Sequence, residues 1–105
     1  MEAIKKYIEN GQKVIVRTDH AGVFYGVITE YDNADRSVEV KGCRRLWYWS
    51  GAASLSELAI SGVKRPKECK FSVTVGSMVV MGVKELLPCT DEAVKSIEGV
   101  AEWRA

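Results

Sequence analysis

The feature that most constrains the fold is a series of short segments in which apolar residues alternate with polar ones. Residues 13–18 (Lys-Val-Ile-Val-Arg-Thr) and residues 23–31 have this character, and the turn-forming residues 19–22 (Asp-His-Ala-Gly) lie between them. A period of two places successive side chains on opposite faces of a β-strand. The pattern therefore predicts strands rather than long helices, and we expect turns where Gly, Asn and Asp collect.

Strand-like segments separated by turns continue along the rest of the chain. After a second turn at residues 32–35, strands are predicted at residues 37–41 and, beyond Gly42, at residues 43–49. Two further strands are predicted at residues 71–75 and 79–87, separated by Gly76 and Ser77.

Three short helices are predicted around these strands. The segment after Ser54 has Glu57 three residues later, which is the pattern of a capping box. Gly62 and Gly99 supply stops for the second and third helices. The helices are expected at residues 2–9, residues 55–61 and from the Thr90 cap to Ile97.

The chain has 105 residues, enough for one domain with a single small core. Hydrophobic residues make up 47% and charged residues 28%, which is typical of globular proteins and excludes disordered and fibrous classes. We therefore expect one domain over residues 1–105. Its predicted class is α+β, a mainly antiparallel sheet or small, partly open β-barrel with about three short helices.

Membrane and secreted classes are disfavoured. No apolar run approaches the roughly 18–20 residues that a membrane span needs, and the N-terminal residues lack the pattern of a signal peptide. The three cysteines are odd in number and far apart, which fits free thiols in a reducing compartment. The sequence thus favours a cytoplasmic protein without membrane partners.

The sequence contains few residues that are typical of catalytic sites. His20 is the single histidine, so it would have to serve any nucleophile as its base. A hydrolytic metal site would have one imidazole and scattered carboxylates, and no phosphate-binding or nucleophile-elbow motif is found. We expect a protein that is not an enzyme and uses neither cofactor nor metal.

The charge is concentrated in the middle third of the chain. Residues 41–70 contain seven Lys or Arg and two Asp or Glu, a net charge of +5, whereas the whole chain carries +1. Lys70 enters a predicted strand and would be held rigidly. The cluster at residues 64–67 is either a flexible phosphate clamp or simply solvated.

The same region contains the aromatic run at residues 47–49 (Trp-Tyr-Trp). Alternation in an extended strand places Cys43, Arg45, Trp47 and Trp49 on one face and Arg44, Leu46 and Tyr48 on the other. A guanidinium beside two indoles suits a ligand that is anionic at one end and planar at the other. Alternatively, the two tryptophans belong to the core and the arginine reaches past them to solvent.

Small residues follow at positions 50–56, and the amides at the start of the next helix favour an anion. The Ser54 hydroxyl could add a donor there, although an ordinary capped turn also explains it. Arg17 lies within a strand, where a charge usually faces solvent or a partner. The candidate ligand-binding residues are Arg17, Arg44, Arg45, Trp47, Trp49, Ser54 and Lys70.

The segment at residues 44–55, with its R-R-x-W-Y-W-x-G-A-x-S-L core, resembles a family of small phage and prophage proteins. The likeness extends to residues 13–17, residues 85–90 and the terminal Trp103. It further resembles the Thoeris anti-defence nucleotide sponges, which form oligomers and sequester cyclic ADP-ribose-type immune signals without cleaving them. The resemblance implies a homo-oligomer that acts on a phosphorylated nucleotide in the host-cell cytoplasm.

Three functions remain open from the sequence. The first is a non-catalytic binder of a phosphorylated nucleotide, with its pocket completed by a second subunit. The second is a single-stranded nucleic-acid-binding module, which would lose affinity more steeply with salt. The third is a phage accessory protein that binds a host protein through the Trp-Tyr-Trp segment. The modest net charge favours the first.

Overall fold

The computed structural model describes residues 2–105, which form three α-helices and six β-strands. In chain order these are α1 (Glu2–Asn10), β1 (Lys13–Thr18), β2 (Val23–Asp32), β3 (Ser37–Tyr48), α2 (Leu55–Ser61), β4 (Lys70–Phe71), β5 (Val75–Val80), β6 (Val83–Pro88) and α3 (Asp91–Gly99). The predicted fold class is confirmed, because the strands form one mainly antiparallel sheet that does not close into a barrel.

The long strand β3 organises the sheet. On one edge it pairs with β2 from Ser37 to Arg45. On the other edge its first half pairs with β5 and its second half pairs with β4. The remaining order is β2, β1, β6, and every pairing between strands is antiparallel.

The sheet has to curl, because β5 and β6 are consecutive in the chain yet pair with different strands, β3 and β1. Only Met81 and Gly82 connect them. Gly82 has a φ of +72°, and a Cβ there would lie 2.2 Å from a carboxylate oxygen of Asp19. A glycine is therefore required where the two ends of the sheet approach each other.

Apolar side chains are buried on both faces of the sheet. In β1, Val14 and Val16 contribute to one cluster while Ile15 contributes to the other. Tyr7 and Ile8 of α1 pack against the first cluster. The helices α2 and α3 cover the second cluster, which includes Ile15, Tyr25, Leu46, Leu58, Phe71, Ala93 and Ile97.

The two predicted helix caps are present. The Ser54 Oγ accepts from the Glu57 amide at 3.1 Å, and the Glu57 side chain accepts from the Ala53 amide. The Thr90 Oγ1 likewise accepts from the Ala93 amide at 3.1 Å. The two bonds to the hydroxyl oxygens satisfy amides that a helix leaves free at its first turn.

The predicted strand boundaries were wrong in three places. The two strands predicted at residues 37–41 and 43–49 form one strand that ends at Tyr48, since β3 runs through Gly42, where φ is +57°. The strand predicted at residues 71–75 ends at Phe71, and β5 begins at Val75, so that Gly76 and Ser77 lie inside β5 rather than in a turn. The strand predicted at residues 79–87 is divided between β5 and β6 by Met81 and Gly82.

Replacing Ser54 by Ala should lower the free energy of unfolding by about 1 kcal/mol, because the Glu57 amide loses its acceptor. Ser56→Ala is the matched control, since Ser56 is exposed within the same helix. Urea denaturation of both variants measures the difference. Equal stabilities for the two variants would show that the cap contributes nothing.

Candidate functional site

A β-bulge at the end of β3 exposes two aromatic side chains. Leu46 pairs with Phe71 and Tyr48 with Lys70, so β3 carries one residue more than β4 between these pairs. The alternation of faces is interrupted, and both Trp47 and Tyr48 face solvent, 60% and 51% exposed.

The C-terminal tail brings a third aromatic residue to this place. The amide of Trp103 donates to the Phe71 carbonyl at 2.9 Å, and Glu102 bridges to Phe71 in parallel. The indole of Trp103 stacks on that of Trp47, with 4.9 Å between ring centroids and 22° between planes. Trp103 was not among the predicted site residues, although a tryptophan in a polar terminal segment was a usable signal.

Lys70 completes the cluster. Its Nζ lies 5.2 Å from the centroid of each indole, within the range of cation–π attraction. Because the two distances are equal, the ammonium lies on the plane midway between the two rings, beside the stack. The outer faces of the indoles are therefore not covered by the lysine. We call Trp47, Trp103 and Lys70 the tryptophan platform.

Arg45 is exposed but is held away from the indoles. Its Nη1 donates to the carbonyl of Ala21 at 2.7 Å, and its guanidinium lies 4.6 Å from the ring centroid of the buried Phe24. Both contacts hold the guanidinium at the turn between β1 and β2.

The predicted common face of residues 43–49 needs correction. Cys43 is buried, and Trp49 is half-buried against the cluster that contains Leu46. The bulge between Leu46 and Tyr48 shifts the register, so Trp49 ends on the core side instead of beside Trp47. Trp49 therefore belongs to the core, as the alternative interpretation of the sequence allowed, whereas Trp47 does not.

Two other candidates have partners elsewhere. Arg17 lies on β1, two strands away from the strand β3 that carries Arg45. Its Nε donates to the carboxylate of Glu85 on β6 at 2.9 Å. The Ser54 hydroxyl accepts the helix-capping bond described above. The structure does not bring either side chain to the tryptophan platform.

Arg44 is 4% exposed and bonds to the protein interior. Its Nε donates to the Ser72 carbonyl at 2.9 Å and its Nη1 to the Ile97 carbonyl at 2.8 Å. Burial lowers the pKa of this guanidinium, with Glu102 acting in the opposite direction. Arg44 thereby links β3 to the end of α3, behind the segment that carries Trp103.

The basic loop at residues 64–67 packs against the segment that follows the aromatic run. Its Lys64 amide donates to the Gly51 carbonyl at 3.3 Å, and Arg65 Nε donates to the Ser50 hydroxyl at 2.8 Å. A Cβ on Gly51 would lie 2.5 Å from the Lys64 nitrogen. The small residues after Trp49 therefore admit the protein's own backbone.

Burial raises the pKa of Cys43 and of Cys89 to about 11, so both thiols are protonated near neutral pH and are poor nucleophiles. Among residues 2–105, no group of three or more His, Cys, Asp or Glu side chains is arranged to hold a metal ion. In the same range, no helix is both long and apolar enough to cross a membrane.

The sequence matches a family described as a domain of unknown function (DUF6948) over residues 11–97. The chain belongs to this family. No curated protein matches it significantly. The fold is similar to the crystal structure of a heptameric archaeal Sm protein, with a TM-score of 0.54 and 16% identity over 86% of this chain and 100% of that one.

The two tryptophans of the aromatic run should differ in their effect on stability. Trp47→Ala should change the free energy of unfolding by less than about 1 kcal/mol, because the side chain is mostly exposed. Trp49→Ala should cost about 2 kcal/mol or more, because it leaves a cavity beside the core. Chemical denaturation tests both, and a larger loss for Trp47→Ala would contradict the assignment.

Proposed function

We propose that this protein is a non-catalytic binder of a phosphorylated nucleotide, held on the tryptophan platform. The carrying observation is the position of the Lys70 ammonium beside two stacked, exposed indoles. A base can stack on an outer indole face, which contributes about 1–3 kcal/mol per base in other proteins. The adjacent ammonium can then pair with a phosphate of the same ligand.

The number of available cations favours a short ligand over a long strand. Several of the guanidinium groups are already engaged, in Arg17 with Glu85, Arg45 with Ala21, Arg65 with Ser50 and Arg104 with Glu102. A protein that follows a nucleic-acid strand needs a continuous positive groove. One lysine at the platform suits one nucleotide better.

The resemblance to anti-defence sponges suggests the biological role. The ligand would be a cyclic ADP-ribose-type immune signal in the host cytoplasm, and the protein would sequester it unchanged. Sequestration requires tight, reversible binding and no nucleophile, which agrees with the raised pKa values of Cys43 and Cys89.

A nucleotide extract from phage-infected cells that carry a nucleotide-signalling defence system provides the test. After incubation, washing and heat denaturation, mass spectrometry should find an unchanged cyclic or ADP-ribose-type nucleotide released by the wild type. Trp47→Ala should release at least tenfold less, whereas Ile60→Ala, which removes an equally exposed apolar side chain on α2, should behave like the wild type.

A chemically altered nucleotide would instead indicate an enzyme. Release of nothing would contradict nucleotide binding and favour a single-stranded nucleic acid or a host protein as the partner of the exposed aromatic residues.

Single-stranded RNA is the second candidate, because the fold resembles that of an archaeal Sm protein whose structure was related to the eukaryotic snRNP core. The exposed indoles would serve equally as a stacking surface for RNA bases. Affinity for a single-stranded RNA oligonucleotide that falls steeply between about 50 and about 200 mM salt would favour this candidate. A nearly flat salt dependence with a mononucleotide would favour the first.

We also propose that the protein forms a homo-oligomer through the edges of its sheet. Among the described residues, β5 and β6 each have a partner on one side only, β3 and β1 respectively. Val79 and Met81, both 62% exposed, lie on or next to β5. An exposed apolar edge strand favours pairing with another chain, and the similar Sm protein is heptameric.

Light scattering coupled to size exclusion tests the assembly. The wild type should give a multiple of 11.6 kDa, and the double variant Val79→Lys/Met81→Lys should give the monomer mass. Ile60→Lys is the control and should leave the assembly intact. A wild type that is monomeric at about 100 µM, where an assembly with a dissociation constant near 1 µM would be almost complete, would contradict the proposal.

A further inference from the structure

The tryptophan platform has two outer aromatic faces that point away from each other. In the stack, the rings of Trp47 and Trp103 each cover one face of the other, with 4.9 Å between their centroids. The side chains nevertheless remain 60% and 51% exposed, which requires that the opposite face of each ring is open to solvent. The stack therefore offers planar groups two surfaces on which to bind, one on each indole.

The spacing of these two faces is fixed by Phe71 of β4. Phe71 pairs with Leu46, the neighbour of Trp47 in β3, and its carbonyl oxygen accepts the bond from the Trp103 amide at 2.9 Å. Phe71 itself is fully buried. Because both indoles are attached to one residue of the core, the platform is arranged before a ligand arrives, and binding costs little conformational entropy.

The ammonium of Lys70 lies beside the middle of the stack. Its Nζ is 5.2 Å from each ring centroid, so neither outer face is nearer to the charge than the other. Within residues 2–105, this ammonium takes part in no ion pair. An anionic group that meets it would lie between the two faces, at the centre of a ligand rather than at one end.

The distance between the two faces selects among nucleotides. Rings in van der Waals contact are about 3.5–4 Å apart, so bases on the two outer faces would be separated by roughly 12 Å. Neighbouring bases of a nucleic-acid strand are joined through one phosphate and stack about 3.4 Å apart, which leaves no room for two indoles between them. Two nucleosides joined through a pyrophosphate between their 5′ carbons have a longer linker, and its charge lies at the middle.

We propose that the platform binds a nucleotide in which two bases are joined through a central pyrophosphate. One base stacks on the outer face of Trp47 and the other on that of Trp103, while the pyrophosphate pairs with the Lys70 ammonium. The proposal rests on the function proposed above and narrows its ligand. Among ADP-ribose-type nucleotides, it selects those whose second ribose also carries a base.

Diadenosine pyrophosphate and ADP-ribose form a matched pair of probes. Both contain adenosine, a pyrophosphate and a second ribose, with the same ionic charge, and only the former has a base on that ribose. Isothermal titration should give an affinity at least about tenfold higher for diadenosine pyrophosphate, because a second base stack is gained within one complex. A site with a single face would gain no more than about twofold, since either end of the symmetrical ligand could bind.

The outcomes of this titration separate the two proposals. Equal affinities, or a difference within that twofold, would overturn the two-base ligand, while nucleotide binding at the platform would stand. Binding of neither probe at millimolar concentration would contradict nucleotide binding itself, and the two-base ligand with it.

Variants of Trp103 locate the second base. Trp103→Phe keeps a planar outer face and should preserve the preference for diadenosine pyrophosphate. Trp103→Leu still covers the inner face of Trp47 but offers no ring, so the preference should fall to about twofold or less while ADP-ribose still binds through Trp47. An undiminished preference in a folded Trp103→Leu protein would place the second base elsewhere and overturn the assignment.

The position of the pyrophosphate is tested at Lys70. Lys70→Gln should weaken both probes by the same factor, at least about fivefold, because both contain the pyrophosphate. Lys67→Gln removes an exposed charge from the neighbouring loop and is the control, with affinities within about twofold of the wild type. Unchanged affinities in Lys70→Gln, or a loss for one probe only, would contradict a central pyrophosphate at this ammonium.

Discussion

Burial of apolar side chains on both faces of the curled sheet leaves little room for exposed aromatic groups. Val14 and Ile15, adjacent in β1, serve different clusters, and the same holds for Phe24 and Tyr25 in β2. A strand that is buried on both sides cannot present a binding surface along its length. The exposed aromatic residues therefore occur where pairing ends or is interrupted, above all at the bulge near Trp47.

The C-terminal tail is fixed to the rest of the protein at two points. It is attached by the bond from the Trp103 amide to Phe71, and Arg44 ties the preceding helix to β3 through the Ile97 carbonyl. The stacking of Trp103 on Trp47 therefore depends on contacts that lie outside the tryptophan platform.

Local patterns in the sequence predicted most of the fold. Alternation gave β1 and β2, and the caps at Ser54 and Thr90 identified α2 and α3, because these signals depend only on neighbouring residues. The position of the turn after β5 was not predictable in this way. It depends on the approach of Gly82 to Asp19, a contact between distant parts of the chain.

The sequence predicted only part of the candidate site, because the rest depends on contacts between distant parts of the chain. The sequence indicated that Trp47 and Lys70 lie in a basic, aromatic region, and the structure brings these two together. The sequence could not place Trp103, because its position depends on the pairing of the tail with Phe71. Nor could the sequence distinguish Trp49 from Trp47, because the bulge near them depends on the pairing of β3 with β4. Arg44 and Arg45 are neighbours in sequence but face the interior and the surface respectively.

The most direct test of the platform is the response of the three indole N–H signals in a ¹⁵N–¹H correlation spectrum to added ADP-ribose. Each tryptophan gives one such signal, and Trp49 serves as an internal control within the same molecule. We expect the signals of Trp47 and Trp103 to shift with the same saturation curve while that of Trp49 stays in place. Shifts confined to Trp49, or none at saturating nucleotide, would contradict it.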